Sequence, residues 1–199
     1  QSEQFVSSGH VTKHDSLGEA TRFDVRVGNE SAQNAAWQYS ESPVEEIRDL
    51  IRLDWAAMDR WYEEDEEVFV HARNPYARID VVESRRHIQV EIDGVVVADS
   101  VRPRLLFETY MPTRYYLPQE DVRLDLLTST GTTTRCPYKG IPRYWSVEVD
   151  GVEHPDVVWS YQTPLSDASK VAGLVCFYNE KVNITIDGEQ QVQPVTKFS

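Results

Sequence analysis

Cysteine is scarce in this chain. Its 199 residues include two cysteines, Cys136 and Cys176, and no Cys-x-x-Cys pair. Structural zinc sites and disulfide frameworks both need several cysteines at defined spacings, so neither is indicated. His10 and His14 would share a face only on a helix, and their Thr-rich surroundings indicate a loop or strand. We therefore expect no metal and no cofactor.

Long apolar runs are also missing. No stretch of about 18 apolar residues occurs, so no transmembrane helix is predicted. No signal-peptide pattern opens the sequence. On these two grounds we expect a cytoplasmic protein without a membrane partner.

Basic residues are in the minority. Lys and Arg number 20 against 33 Asp and Glu, which gives a formal net charge of −13. Nucleic-acid binding needs clustered Lys and Arg to neutralise phosphates, so no nucleic-acid partner is expected. The densest charged run, residues 63–67, is acidic. We interpret it as a solvated face after a helix, with contact to a cation or a basic partner as the alternative.

The chain does contain two related stretches. Residues 5–39 align with residues 127–161 without a gap. The identical pairs include Gly9/Gly131, Gly18/Gly140, Trp37/Trp159 and Tyr39/Tyr161. A gap-free match that keeps glycines and large aromatics indicates a tandem of related units.

We accordingly predict three segments. Residues 5–67 form a partial first copy, residues 68–80 a connector with a possible strand, and residues 81–192 a complete second copy. A half copy cannot close its own sheet. We therefore expect it to pack against the complete copy or against another chain, which leaves a homo-oligomer open.

Alternating apolar residues followed by Asp-Gly recur along the chain. Such a pattern predicts a β-hairpin, because the turn needs the positive φ that Asp and Gly tolerate. The three dipeptides are Asp93-Gly94, Asp150-Gly151 and Asp187-Gly188. They predict a mainly β fold built from antiparallel sheets.

Two short helices are predicted between the strands. Ser42-Pro43 and Thr163-Pro164 each combine a hydroxyl cap with proline in the first turn. After Ser42-Pro43, apolar residues from Ile47 to Tyr62 follow at spacings of three and four, which is typical of one helix face. His154, with Pro155 and Asp156, is interpreted as part of a loop.

Four motifs in the second copy are long and specific. They are FETYMPTRYYLPQEDV at 107–122, CPYKG at 136–140, YWSV at 144–147 and DVVWSY at 156–161. They resemble the family known as domain of unknown function 427, sometimes labelled nucleotidyltransferase-like. The resemblance covers essentially the whole second copy, and the first copy resembles the rear of an N-terminal repeat.

The resemblance implies a β-tent-like fold, similar to methionine sulfoxide reductase B and the thalidomide-binding domain of cereblon. Many relatives of that fold hold zinc through paired Cys-x-x-Cys, which this chain lacks. The resemblance implies no settled reaction. Nucleotidyl transfer is the less favoured reading, because the chain has no Gly-rich phosphate loop.

Reactive and aromatic side chains concentrate between residues 108 and 161. The candidate catalytic residues are Glu108, Asp121, Cys136 and Lys139. The candidate ligand-binding residues are Arg114, Tyr115, Tyr116, Trp145, Trp159 and Tyr161. The aromatic residues suit a pocket for flat or cationic molecules, and the alternative is that they belong to the core.

The ionisable candidates also allow two interpretations each. Cys136 beside Lys139 suits an activated thiol, or else a buried small side chain next to a surface lysine. Arg114 between two carboxylates suits anion binding with a carboxylate base, or else a buried ion network. Cys176 follows the apolar pattern of the second predicted helix and is expected to be inert core.

These residues favour a small-molecule-binding protein. We expect a cofactor-independent enzyme that isomerises, cyclises or hydrolyses an organic metabolite by acid/base chemistry. The alternative is a non-catalytic module that holds a ligand in an aromatic cage, or an interaction module that uses the acidic run. Whether the protein is an enzyme stays open at this point.

Overall fold

The computed structural model describes residues 3–199, which divide into two compact units. The first unit ends at His71, and the second spans Ala72–Ser199. The strand pairs of both units are antiparallel, which confirms the predicted mainly β fold.

The first unit is a four-stranded sheet followed by a small hairpin. The sheet has the order β1-β2-β3-β4, and β5 pairs with β6. The strands are β1 (Phe5–His14), β2 (Gly18–Val27), β3 (Glu30–Gln38), β4 (Arg52–Leu53), β5 (Trp61–Glu63) and β6 (Glu66–Val68). Two 3-10 turns occupy Glu45–Ile47 and Trp55–Ala57.

The second unit contains a seven-stranded and a four-stranded sheet, with orders β12-β13-β14-β15-β11-β10-β7 and β17-β16-β8-β9. Its first strands are β7 (Ile79–Glu83), β8 (Ile88–Ile92), β9 (Val95–Ser100), β10 (Arg104–Glu108) and β11 (Arg114–Leu117). The others are β12 (Leu127–Ser129), β13 (Arg143–Val149), β14 (Val152–Ser160), β15 (Val175–Phe177), β16 (Asn183–Ile186) and β17 (Glu189–Gln190). The 3-10 turns are Gln119–Asp121, Leu124–Leu126 and Ser166–Val171.

The three predicted Asp-Gly hairpins are confirmed. They join β8 to β9, β13 to β14 and β16 to β17. Asp150 and Gly151 have φ angles of 49° and 80°, and the other two dipeptides have the same signs. Because both turn residues need positive φ, the dipeptide determines the position of each turn.

The first helix, predicted after Ser42-Pro43, was wrong. A three-residue 3-10 turn at Glu45–Ile47 follows Ser42-Pro43, and the chain then forms β4, which pairs with β3. Leu50, assigned to the apolar helix face, is 60% exposed. The second predicted helix is right only at its start, where Ser166–Val171 form a 3-10 turn that buries Ala168 and Val171. Val175–Phe177, which includes Cys176 and was also assigned to that helix, forms β15. Pairing with a neighbouring strand satisfies the backbone groups that a helix would otherwise satisfy internally.

The acidic run lies in a hairpin and not after a helix. Residues 63–67 comprise the end of β5, the turn and the start of β6. Glu64 has a φ of 51° in the turn. The run is exposed to solvent, as expected. A strand was expected within the connector, residues 68–80. The strand found there, β6, reaches the connector only with its last residue, Val68.

The seven-stranded sheet of the second unit is buried on both faces. One face packs against the four-stranded sheet through Val147, Val158, Val175 and their neighbours. The opposite face carries a second cluster, covered by Ala168 of the last 3-10 turn. Strand side chains alternate between faces, so Leu117 and Val158 belong to the first cluster while their neighbours Tyr116 and Trp159 belong to the second.

The matching stretches adopt matching local geometry in the two units. The β2–β3 and β13–β14 hairpins each carry an irregularity in register, and Asn34 and Asp156 have φ angles of 52° and 51° there. Ser8 Oγ donates to Asn34 Oδ1 at 2.7 Å, and Thr130 Oγ1 donates to Asp156 Oδ1 at 2.5 Å. These are local similarities between the two aligned stretches, and the tandem repeat itself stays a prediction.

Candidate functional site

The alternation of the seven-stranded sheet divides the predicted aromatic residues between its faces. Tyr116, Trp159 and Tyr161 belong to the cluster beneath the last 3-10 turn. Tyr115 and Trp145 pack on the opposite face, against the four-stranded sheet. The structure therefore does not bring all the predicted pocket residues together.

Glu108 and Lys139 form an ion pair. Lys139 Nζ donates to Glu108 Oε2 at 2.5 Å, and the two side chains are 11% and 17% exposed for Lys139 and Glu108. Glu108 ends β10, whereas Lys139 belongs to a tight loop closed by paired backbone hydrogen bonds between Cys136 and Gly140. Gly140 has a φ of 95°, which side chains rarely adopt, so the loop needs glycine at this position.

Tyr161 connects the ion pair with the aromatic cluster. Burial is the main cause that raises the pKa of Tyr161 well above its ordinary value, and the nearby Cys136, Tyr144 and Glu108 raise it further. Its phenol therefore stays protonated at neutral pH and can donate a hydrogen bond. Cys136 is partly exposed, while Cys176 is buried, and burial raises the pKa of Cys176 to about 12. Cys176 is accordingly inert core, as expected.

Arg114 pairs with a carboxylate that the sequence analysis did not select. Its two terminal nitrogens donate to Glu180 at 2.6 and 2.8 Å, and the Arg114 and Glu180 side chains are 6% and 0% exposed. Burial lowers the pKa of Arg114, but the hydrogen bonds to Glu180 outweigh it and the pKa is raised. Burial raises the pKa of Glu180, and the hydrogen bonds from Arg114 and Thr196 outweigh it, so that pKa is lowered. Both groups remain charged at neutral pH.

A column of aromatic rings covers this pair. The guanidinium of Arg114 lies 5.5 Å from the ring centre of Trp159 and 5.7 Å from that of Tyr178. Trp159 and Tyr178 are 4.5 Å apart, and Phe198 lies 5.6 Å from Tyr178. Trp159 Nε1 donates to the Tyr116 hydroxyl at 3.0 Å. These contacts hold Arg114 in place by ion pairing and by cation–π attraction.

A cleft of about 360 Å³ opens beside this column. We call it the tyrosine cleft, and it is lined by Thr132, Thr134, Tyr144, Asp156, Tyr178, Lys181, Lys197, Phe198 and Ser199. The hydroxyl groups of Thr134 and Tyr144 are hydrogen-bonded at 2.8 Å. Burial and Tyr144 raise the pKa of Tyr178 above its ordinary value, so its hydroxyl is neutral. The cleft combines an aromatic wall, hydroxyl groups and two ammonium groups.

Asp156 forms the acidic edge of the tyrosine cleft. It lies within β14 and not in the loop predicted around His154, which pairs with Asp93 at 2.9 Å. Thr130 and Thr132 donate to Asp156 at 2.5 and 2.6 Å. These two hydrogen bonds are the main causes that lower the pKa of Asp156. The carboxylate is thus already satisfied by the protein.

Asp121 is held elsewhere. Ser100 Oγ donates to it at 2.7 Å, and Arg102 donates to both of its oxygens at 3.1 and 3.2 Å. The hydrogen bonds from Arg102 are the largest cause that lowers its pKa. Arg114 therefore does not lie between Glu108 and Asp121, because each of the three charged residues has a different partner.

In the described part of the chain, no three His, Cys, Asp or Glu side chains converge in a way that could hold a metal ion. His10 and His14 are exposed residues of β1. Within residues 3–199, no helix is long and apolar enough to cross a bilayer.

Tyr178, Glu180 and Phe198 were not predicted as site residues from the sequence. A signal was present, because two polar residues, Asn179 and Glu180, come one residue after the apolar strand that ends in Phe177. A buried carboxylate after such a strand needs a cationic partner, and Arg114 is the arginine of the longest motif.

Comparison with known proteins gives a family. A family model described as "Domain of unknown function (DUF427)" matches residues 1–64 and 80–188. No curated protein matches the chain.

Proposed function

The chain belongs to this DUF427 family, and because the family description names no reaction, we propose from the site itself that the second unit binds a small, flat organic anion in the tyrosine cleft. The observation that carries the proposal is the meeting of an aromatic wall, Tyr144 and Tyr178, with the ammonium group of Lys181 in one cleft of about 360 Å³. Ligand pockets of this size commonly join apolar walls to a few fixed polar groups.

The chemistry of the lining indicates the ligand class. Lys181 lies 5.2 Å from the ring of Tyr178, and Lys197 also lines the cleft, so two positive charges stand near its wall. The hydroxyl groups of Thr134 and Tyr144 offer a donor and an acceptor. Asp156 is satisfied by Thr130 and Thr132, which leaves the lysines as the charged groups available to a ligand. A ring with one carboxylate or phosphate fits this set.

Thermal unfolding with a panel of aromatic carboxylates and phosphates tests the proposal. A ligand at a hundred times its dissociation constant should stabilise the protein by about 2.7 kcal/mol. Lys181→Ala should weaken the binding of any hit about tenfold, and Tyr144→Phe about fivefold, as expected for lost charged and neutral hydrogen bonds. Tyr115→Phe, on the opposite face of the sheet, is the matched control. Hits that bind all three variants like wild type would refute the tyrosine cleft.

Conversion of a ligand at the Glu108–Lys139 pair is a second candidate. Neither residue lines the tyrosine cleft, but Tyr161 is close enough to both Glu108 and the cleft residue Tyr144 for each to raise its pKa. Both side chains of the Glu108–Lys139 pair are less than one-fifth exposed, and the pair neighbours Tyr161, whose phenol remains protonated. An ammonium and a carboxylate in contact can supply and accept a proton. This makes acid/base isomerisation, cyclisation or hydrolysis the accessible chemistry.

Binding and conversion can be separated by Lys139→Met, which keeps the length of the stem but removes the charge. If the pair is catalytic, turnover of a confirmed ligand should fall at least about a hundredfold, the usual contribution of general acid/base catalysis. The dissociation constant, measured by calorimetry, should change little. Unchanged turnover in Lys139→Met would leave the protein as a binding module.

A further inference from the structure

A second cleft lies away from the tyrosine cleft, at one end of the seven-stranded sheet. There β7 and β11 end while β10 and β15 begin, so four neighbouring strands contribute loop residues to one place. Its volume is about 470 Å³. We call it the arginine cleft, since Arg85, Arg102 and Arg104 line it above Pro103, Pro118 and Leu174.

The three arginines differ in their ion pairs and hydrogen bonds. Arg102 pairs with Glu120 at 2.9 Å and Asp121 at 3.1 Å. Arg104 lies 3.4 Å from Glu83, the carboxylate that lines the cleft, and it also donates to the backbone carbonyl of Lys170. None of the ion pairs found among residues 3–199 includes Arg85.

Arg85 thus has no carboxylate partner among residues 3–199, although the chain carries 33 acidic residues. It lines a cleft in which two further guanidinium groups are held in place by their own contacts. A fixed guanidinium binds the oxygens of a phosphate or carboxylate bidentately.

The floor of the arginine cleft indicates the rest of the ligand. Pro103 is buried, and Pro118 and Leu174 are partly buried, so apolar surface lies between the charged groups. We infer that the arginine cleft is a binding site for an organic anion, with its phosphate or carboxylate on Arg85 and its apolar body on Leu174 and the two prolines. This site is independent of the tyrosine cleft.

Phenyl phosphate, benzoate and inorganic phosphate are suitable probes, and isothermal titration of the full chain is the measurement. We expect saturable binding of one of the two aromatic anions, with inorganic phosphate at least about tenfold weaker because it lacks the apolar body. Preference for phenyl phosphate identifies a phosphate ligand, and preference for benzoate a carboxylate. Added salt should weaken binding, because exposed charges are screened.

The decisive comparison is between probe binding by wild type and by the Arg85→Ala variant. Arg85 is exposed, so its removal should leave the thermal midpoint unchanged while it weakens binding about tenfold or more. Arg123→Ala is the matched control, because this exposed arginine pairs with Asp125 outside the cleft. Lys181→Ala should also bind normally, which separates this site from the tyrosine cleft. Equal binding by wild type and Arg85→Ala, equal affinity for inorganic phosphate, or no binding of either aromatic probe would each overturn the inference.

Discussion

Among the individual residues, Arg114 and Glu180 form the ion pair that is almost excluded from water. Transfer of two charges from water costs several kcal/mol per ion, which their attraction offsets only if the remaining polar atoms are satisfied. Asn179 accepts from Arg114 at 3.2 Å, and Thr196 donates to Glu180 at 2.6 Å. The pair is thus completed by residues of the same C-terminal region.

Glu180→Ala should destabilise the protein by about 3 kcal/mol, because it leaves the charge of Arg114 buried without a partner. Urea unfolding followed by fluorescence measures the change. The double variant Arg114→Met with Glu180→Leu is the control, and it should recover most of the loss because no buried charge remains. A double variant less stable than Glu180→Ala would contradict this account.

Asp156 should make the stability of the protein depend on pH. Its pKa is lowered in the folded state by hydrogen bonds from Thr130 and Thr132. Its ionised form therefore stabilises the fold above the unfolded pKa of about 3.9, and this stabilisation is lost as the pH falls through the folded value. Asp156→Asn retains a side chain that tolerates positive φ but removes the charge.

The difference in urea midpoint between wild type and Asp156→Asn should thus be clear at pH 7 and shrink as the pH approaches 3. Asp125→Asn, at an exposed ion pair, should give a smaller difference at pH 7. A difference for Asp156→Asn that grows on acidification would show that the sign is wrong.

Sequence reasoning located the charged residues but not their partners. Glu180 lies 66 residues from Arg114, and Lys139 lies 31 residues from Glu108. Such distances depend on the register of several strands, which local patterns do not determine. The alignment of residues 5–39 with residues 127–161 drew attention to Trp159, but the tyrosine cleft depends on Tyr178 and Phe198, which lie outside the aligned stretches.

At the scale of elements, local chemistry was sufficient for the hairpins and insufficient for the helices. An Asp-Gly turn is specified by two adjacent residues, and all three were found. A stripe at spacings of three and four does not exclude short strands and 3-10 turns. In the first unit, β4 pairs with β3 through Trp37 and Arg52. This pairing cannot be predicted from the local sequence around β4.

Gly151→Ala tests the turn chemistry. Gly151 has a φ of 80° and nothing within 4 Å of the added methyl group, so the cost is that of the backbone alone. We expect a loss of about 1 kcal/mol in the free energy of unfolding. Gly131→Ala is the control, because that site is equally open without a positive φ, and it should be near neutral. Equal losses in both variants would contradict the role of φ.

For the whole molecule, the two units differ in how much apolar surface they bury. Both large clusters of buried side chains come from residues of the second unit. The buried apolar residues of the first unit are Ala20, Phe23, Ala35, Ala36 and Val68. Four small or medium side chains and one phenylalanine form a small core for a unit of this length.

A fragment of residues 72–199 should therefore unfold cooperatively by itself, with the near-ultraviolet circular dichroism expected of packed Trp145 and Trp159. A fragment of residues 1–71 should show no cooperative thermal transition, since its buried apolar surface is small. Scanning calorimetry of both fragments beside the full chain measures this. An unfolded 72–199 fragment would mean that the second unit depends on the first.

Thr196 and Phe198 give the C-terminal region an unusual role, because the first donates to Glu180 and the second lies 6.0 Å from the guanidinium of Arg114. Ser199 lines the tyrosine cleft. An affinity tag fused after Ser199 would leave the protein at the mouth of the cleft, where a polyhistidine sequence could compete with weak ligands. Library screens should therefore use protein without a tag next to Ser199, and proteolytic loss of residues 196–199 should be monitored during purification.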